Sequence, residues 1–198
     1  EKAPESTRKD VSAAWKNFRN SDDNMGITSA KTPTSEATTY EKWFKKLGSG
    51  WGAAPSVQII VDNSLIVMSA NHIYKLDLNT GDILQTGDMV AATNFGYTPP
   101  TYADGMIFAP LADGRVQAFN AETLESLWVY QDTLKGQSLS PITYSDGYIY
   151  TGFWNAETKD ANYVCIPVTD EDPTNAQEAK EAAWQYTSLG GFYWAGSV

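Results

Sequence analysis

Few side chains in this sequence could do chemistry unaided. It carries one histidine, His72, and one cysteine, Cys165. His72 follows Asn71 in a segment that reads as a turn before a strand. As a general base it would need a nucleophile within hydrogen-bond reach, and no sequence neighbour supplies one. Cys165 lies in the run Tyr163-Val164-Cys165-Ile166, the setting of a buried structural thiol. One residue of each type excludes a multi-histidine metal site, a zinc finger and an internal disulfide. Asp170-Glu171-Asp172 could hold a hard cation weakly, but it reads as a solvated acidic loop. Gly48-Ser49-Gly50-Trp51-Gly52 is glycine-rich yet opens no helix, so it offers no helix-terminal N–H groups to a phosphate. No Gly-x-Ser-x-Gly elbow occurs. On these grounds no catalytic residue and no metal ligand is assigned.

Aromatic rings carry the remaining chemistry. They make up 13% of the chain. Trp51, Phe95, Tyr97, Phe153, Trp154, Phe192, Tyr193 and Trp194 fall in predicted loops, with Asn94, Asn155 and His72 nearby. Rings beside amides suit stacking on a sugar or capture of a peptide. The expected ligand-binding residues are Trp51, His72, Asn94, Phe95, Trp154, Tyr193 and Trp194. Trp154 is expected to be the most exposed, because the polar stretch Asn155–Asp160 follows it. Scattered between residues 51 and 194, these positions can converge only if the loops that carry them share one face.

The repeat pattern provides that face. Asp62-Asn63, Asp104-Gly105 and Asp146-Gly147 recur every 42 residues, each between apolar or β-branched runs. Such dipeptides favour two-residue hairpin turns, because they tolerate positive φ. Third and fourth strands follow each hairpin: Ile73–Leu76 then Ile83-Leu84, and Val116–Phe119 then Leu127–Tyr130. A four-strand unit every 40–45 residues is the signature of a propeller blade. No segment before residue 170 sustains a 3.6-residue apolar period. In Asp170–Ala182, Thr174 and Gln177 have capping-box spacing, so a surface loop with a short helical turn is expected there.

Tryptophans keep the same rhythm. Trp43, Trp128 and Trp184 each begin an expected short strand, and Gln85 occupies the slot where the series lacks one. The stretch Ala118-Phe119-Asn120-Ala121-Glu122-Thr123-Leu124-Glu125-Ser126-Leu127-Trp128 resembles the tryptophan-docking motif Ala-x-Asp-x-x-Thr-Gly-x-x-x-Trp of the pyrroloquinoline-quinone-type propeller repeat, with Asn120 for Asp and Leu124 for Gly. The first unit keeps Asp77, Thr80 and Gly81, with Lys75 for Ala and Gln85 for Trp. The lead-in Trp15-x-x-Phe18-Arg19 with Asn24-x-Gly26 is similar to that family too. The resemblance implies an all-β propeller of four-stranded antiparallel blades, about three here plus partial flanking strands, within a seven- or eight-bladed ring. It makes Trp43, Trp128 and Trp184 structural docking residues between blades.

The expected organisation has a flexible N-terminal tether at 1–12 and a partial propeller over 13–198. Within it, 13–50 is a lead-in segment whose Trp43–Lys46 closes the ring as an outer strand. Blades span 51–89, 95–131 and 137–188, and 192–198 begins a fourth. A full ring needs roughly 300–340 residues, so the chain reads as about half of one.

Functional expectations follow. The family's dehydrogenases hold the quinone against a vicinal Cys-Cys pair and bind calcium. Only Cys165 is present, so no cofactor is expected, and quinone with calcium belongs to an enzymatic alternative. Lys and Arg number 14 against 24 Asp and Glu, a net charge of −10, which disfavours nucleic acid and anionic membranes. No apolar run is long enough to span a bilayer. The favoured reading is a non-catalytic extracytoplasmic module, secreted, periplasmic or at the cell surface. Its partner would be a protein, peptide or glycan, with the missing half-ring or another subunit covering the blade faces. A quinone-dependent alcohol or sugar dehydrogenase and an outer-membrane assembly scaffold lipoprotein are the alternatives.

Overall fold

A computed structural model describes residues 10–94, 96–194 and 196–197. The first sheet orders β1 (Ala13–Trp15), β2 (Ile59–Val61), β3 (Ser64–Ser69), β4 (His72–Asp77) and β5 (Ile83–Asp88). The second contains β6 (Thr101–Ala103), β7 (Met106–Leu111), β8 (Arg115–Asn120) and β9 (Ser126–Gln131). The third contains β10 (Thr143–Ser145), β11 (Tyr148–Gly152), β12 (Asp160–Pro167) and β14 (Trp184–Leu189). Each holds a four-stranded antiparallel meander, β2–β5 in the first sheet, and that meander is the expected propeller blade. Among the described residues there is no α-helix.

Local turn chemistry accounts for the hairpins. Asp62 and Asn63, Asp104 and Gly105, and Asp146 and Gly147 all have positive φ, between 47° and 82°. That backbone twist matches the twist of the flanking strands. Two apolar cores lie between the sheets. Ile66, Met68, Ile107 and Phe119 belong to one, and Phe108, Trp128, Ile149 and Val164 to the other.

Three expectations are corrected. The insertion forms no helical turn; instead β13 (Glu178–Lys180) pairs in parallel with β9 and extends the second sheet. The outer edge of β9 offers unpaired backbone groups that β13 satisfies. Thr174 donates its N–H and hydroxyl to Asp172, and Asn175 accepts from the Gln177 N–H, so these side chains serve turns rather than a helix cap. Lys180 anchors the strand, with its Nζ near Thr169 O, 3.1 Å from Glu171 and 5.9 Å from the centre of the Trp128 ring. Second, Trp43–Lys46 forms no strand among the described residues. The first sheet's extra strand is β1. Third, Trp51–Ala53 makes a single 3-10 turn after Gly50 where no helix was expected.

Polar contacts onto the three sheets repeat in one register. Trp43 Nε1 donates to Leu78 O at 3.1 Å, and Trp128 Nε1 donates to Val168 O at 3.1 Å. Lys75 Nζ donates to Ala121 O at 3.3 Å and to Glu122 O at 3.4 Å. Leu78, Ala121 and Val168 are each the first residue after the third strand of their sheet. The acceptor is therefore constant while the donor varies.

Candidate functional site

Four rings meet on the loops that leave and enter the sheets. Trp154 lies 5.1 Å from Tyr193, Tyr193 lies 4.9 Å from Trp194, and Trp194 lies 5.2 Å from Tyr97, measured between centroids. Successive planes are inclined by 32°, 65° and 52°. Tyr97, Tyr193 and Trp194 are 48, 46 and 49% exposed. Trp194 holds φ at 61°, the left-handed region. A non-glycine residue persists there only when its surroundings hold it.

Polar contacts hold the loops that carry the rings. Trp154 exchanges two backbone hydrogen bonds with Gln137, at 2.7 and 3.0 Å. Asn94 Oδ1 accepts from the Ser138 N–H at 2.9 Å, tying the loop after the first sheet to the loop after the second. Asn155 Nδ2 donates to Asp160 O and to Leu134 O. Fully buried Asp132 accepts from Asn162 Nδ2 at 2.8 Å and from the Leu134 N–H at 3.0 Å. Asn162 Oδ1 accepts from the Thr187 hydroxyl at 2.6 Å. Burial, with Asp132 alongside, pushes the Tyr130 hydroxyl above its usual range.

The anticipated residues therefore divide. Trp154, Tyr193 and Trp194 come together. Asn94 holds the scaffold with its side-chain oxygen. His72 stands apart on β4, its Nδ1 3.0 Å from Asp88 Oδ1 and its ring 5.9 Å from Tyr74. Trp51 is exposed on its 3-10 turn. Phe95 lies outside the described residues. Trp154 is half-buried rather than the most exposed ring, because its backbone is pinned and Tyr193 covers it. Phe153 is wholly buried against Tyr130. Tyr97 belongs to the set in place of His72. The signal for it is positional: Tyr97 precedes Thr101 by four residues, as Trp194 precedes residue 198. The Asp132–Asn162 pair carries no local sequence signal.

Residues 35–156 match the family model described as outer membrane protein assembly factor BamB. No match is found among curated proteins. Among solved structures, the chain is similar to the quinohemoprotein alcohol dehydrogenase ADHIIG of Pseudomonas putida HK5, with a TM-score of 0.51 and 19% identity over 67% of this chain and 20% of that one. It is similar to the quinohemoprotein alcohol dehydrogenase of Comamonas testosteroni, with a TM-score of 0.53 and 17% identity over 67% of this chain and 21% of that one. A europium-containing methanol dehydrogenase gives 0.50 and 19% over 73% and 27%. The matched region thus spans 20 to 27% of those enzymes, and the likeness is one of fold. The single cysteine cannot form a vicinal pair. Among the described residues, no group of three or more His, Cys, Asp or Glu side chains could hold a metal ion. Among them, too, no helix is long and apolar enough to cross a membrane.

Proposed function

We propose a function for a chain that belongs to the pyrroloquinoline-quinone-type propeller-repeat family, the family described as outer membrane protein assembly factor BamB: it is an extracytoplasmic, non-catalytic binding module that holds an extended peptide segment of a protein partner. The observation that carries this reading is the ladder Tyr97–Trp194–Tyr193–Trp154. Sugar stacking calls for a flat open ring face. Rings inclined at 52–65° instead form notches that take apolar side chains. Tyr and Trp lose little conformational entropy on binding and present both apolar faces and a polar tip. The family's description as an assembly factor favours a protein partner over a glycan.

The test is a binding screen against immobilised unstructured peptides and, in parallel, a glycan array. Peptide binding is expected. Trp194→Ala should weaken it at least tenfold, as expected for a central aromatic anchor of about 2 kcal/mol or more. Binding to glycans alone, or peptide binding unchanged in a Trp154→Ala/Trp194→Ala variant, overturns the reading. The fold likeness to dehydrogenases motivates one further assay. Reduction of a dye by alcohols, after quinone and calcium are added to the protein, would replace this proposal with the enzymatic one.

A further inference from the structure

One sheet edge is covered from within the chain and its counterpart is open. β13 lies beside β9, with Glu178, Ala179 and Lys180 opposite Trp128, Val129 and Tyr130. It comes from the insertion of the third unit. The second unit has no such insertion, because residues 121–125 alone join β8 to β9. The first sheet ends on β5, and among the described residues no strand lies beyond it. Gln85 faces Lys75 as Trp128 faces Ala118, so Thr86 and Gly87 stand where Val129 and Tyr130 stand.

The open edge has backbone groups to offer. Antiparallel pairs alternate between those that exchange hydrogen bonds and those that do not. The Met89 N–H donates to Asn71 O at 2.8 Å, and Ile73 faces Gly87 one such step away. Gly87 therefore bonds inward to β4, and exposed Thr86 turns its N–H and C=O outward. Its counterpart Val129 is the residue on which the three pairs of β13 are centred. Outward groups of this kind are a template for a further strand.

Beside that edge lies a groove of about 580 Å³. Thr86, Gly87, Asp88 and Glu125 line it together with Pro173 and Gln177, from the loop that leads into β13. Its charged lining residues are Asp88 and Glu125, both exposed, and no Lys or Arg lines it. Ile83 and Leu84 of the same strand are 44 and 52% exposed. An occupant that fits these groups supplies a backbone for the edge, cations for the carboxylates and apolar side chains for the exposed Ile and Leu.

We propose that the outer edge of β5 takes up an extended, lysine- or arginine-bearing segment of a partner protein as a further strand, parallel to β5 as β13 is to β9. The site shares no residue with the aromatic ladder, so neither reading depends on the other.

The probe is an end-blocked hexapeptide alternating Lys and Val, titrated into the isotope-labelled 198-residue chain and followed by amide NMR. Saturable shifts are expected at Thr86, Gly87, Asp88 and Glu125, and they should persist in Trp154→Ala/Trp194→Ala. Thr86→Pro, which removes the outward N–H at an edge where proline is tolerated, should weaken binding by about tenfold or more, while Thr86→Ala leaves it unchanged. Should Thr86→Pro fail to fold, Asp88→Lys/Glu125→Lys decides. These exposed changes should weaken the Lys–Val probe by about fivefold or more and admit a Glu–Val hexapeptide that the parent rejects. No saturable shift at millimolar probe overturns the proposal, as does binding unchanged in a folded Thr86→Pro chain or equal binding of the two hexapeptides. Shifts confined to the ladder and lost in Trp154→Ala/Trp194→Ala overturn it while supporting the ladder reading. A dimer mass by light scattering that Thr86→Pro returns to monomer overturns it too, by making a second copy the occupant.

Discussion

Lys75→Ala tests the reasoning about how the sheets join. Lys75 is buried and reaches across from the first sheet to Ala121 O and Glu122 O. Alanine removes three methylenes at about 0.8 kcal/mol each. It also removes two long hydrogen bonds from a cation, worth at these lengths about 0.5–1 kcal/mol each. Relief from burying an ammonium opposes both losses. The net expectation is a destabilisation of about 2 kcal/mol, or roughly 4–8 °C in melting temperature for a chain of this size. Rescue is the sharper part. Where Trp43 meets the first sheet, a Cβ on Gly81 would lie 2.6 Å from the indole. The equivalent turn position in the second sheet is Leu124, buried and at φ 58°. Leu124 fills the space an indole would take, against Gly87 of β5. Gln85→Trp should therefore rescue Lys75→Ala only when Leu124→Gly is added. The triple variant should return to within about 1 kcal/mol of the parent, while Lys75→Ala/Gln85→Trp stays at or below Lys75→Ala. Urea melts of the four proteins decide the matter. A triple variant no more stable than Lys75→Ala, or a double variant as stable as the triple, would refute the exchange of Lys, Gln and Leu for Ala, Trp and Gly.

Two further outcomes follow from the buried polar groups. Asp132→Ala should destabilise by about 2–4 kcal/mol in urea melts, because Asn162 Nδ2 and the Leu134 N–H lose a buried acceptor. Burial, together with the bond to Asp104, pushes the Tyr144 hydroxyl up to about 12. The unfolded chain ionises this tyrosine near 10 while the folded chain does not. Stability should therefore fall as pH rises from about 10 towards 12, and less steeply in Tyr144→Phe.

Much of the fold was legible because its determinants are local. Asp62-Asn63, Asp104-Gly105 and Asp146-Gly147 specify their hairpins through backbone φ alone, so their even spacing exposed the repeat. Asp77 shows the same locality: its carboxylate accepts from the Asn79 and Thr80 N–H groups, which lowers its pKa, and the turn was readable from those residues. The aromatic ladder was half legible, since Trp154, Tyr193 and Trp194 are loop aromatics. Tyr97 joined them on a positional signal, four residues before Thr101, whereas His72 sits apart beside Asp88.

What the sequence determined by itself was the unit: four strands, their turns and the face each strand buries, all set within a few residues along the chain. What the tertiary structure decided was every choice between units. It placed β13 on the second sheet, gave Lys75 the contact that an indole makes elsewhere, and set Trp194 against Tyr97. Those choices turn on which sheet edge is left unpaired and how much space a neighbouring sheet leaves, and both exist only once the sheets are assembled.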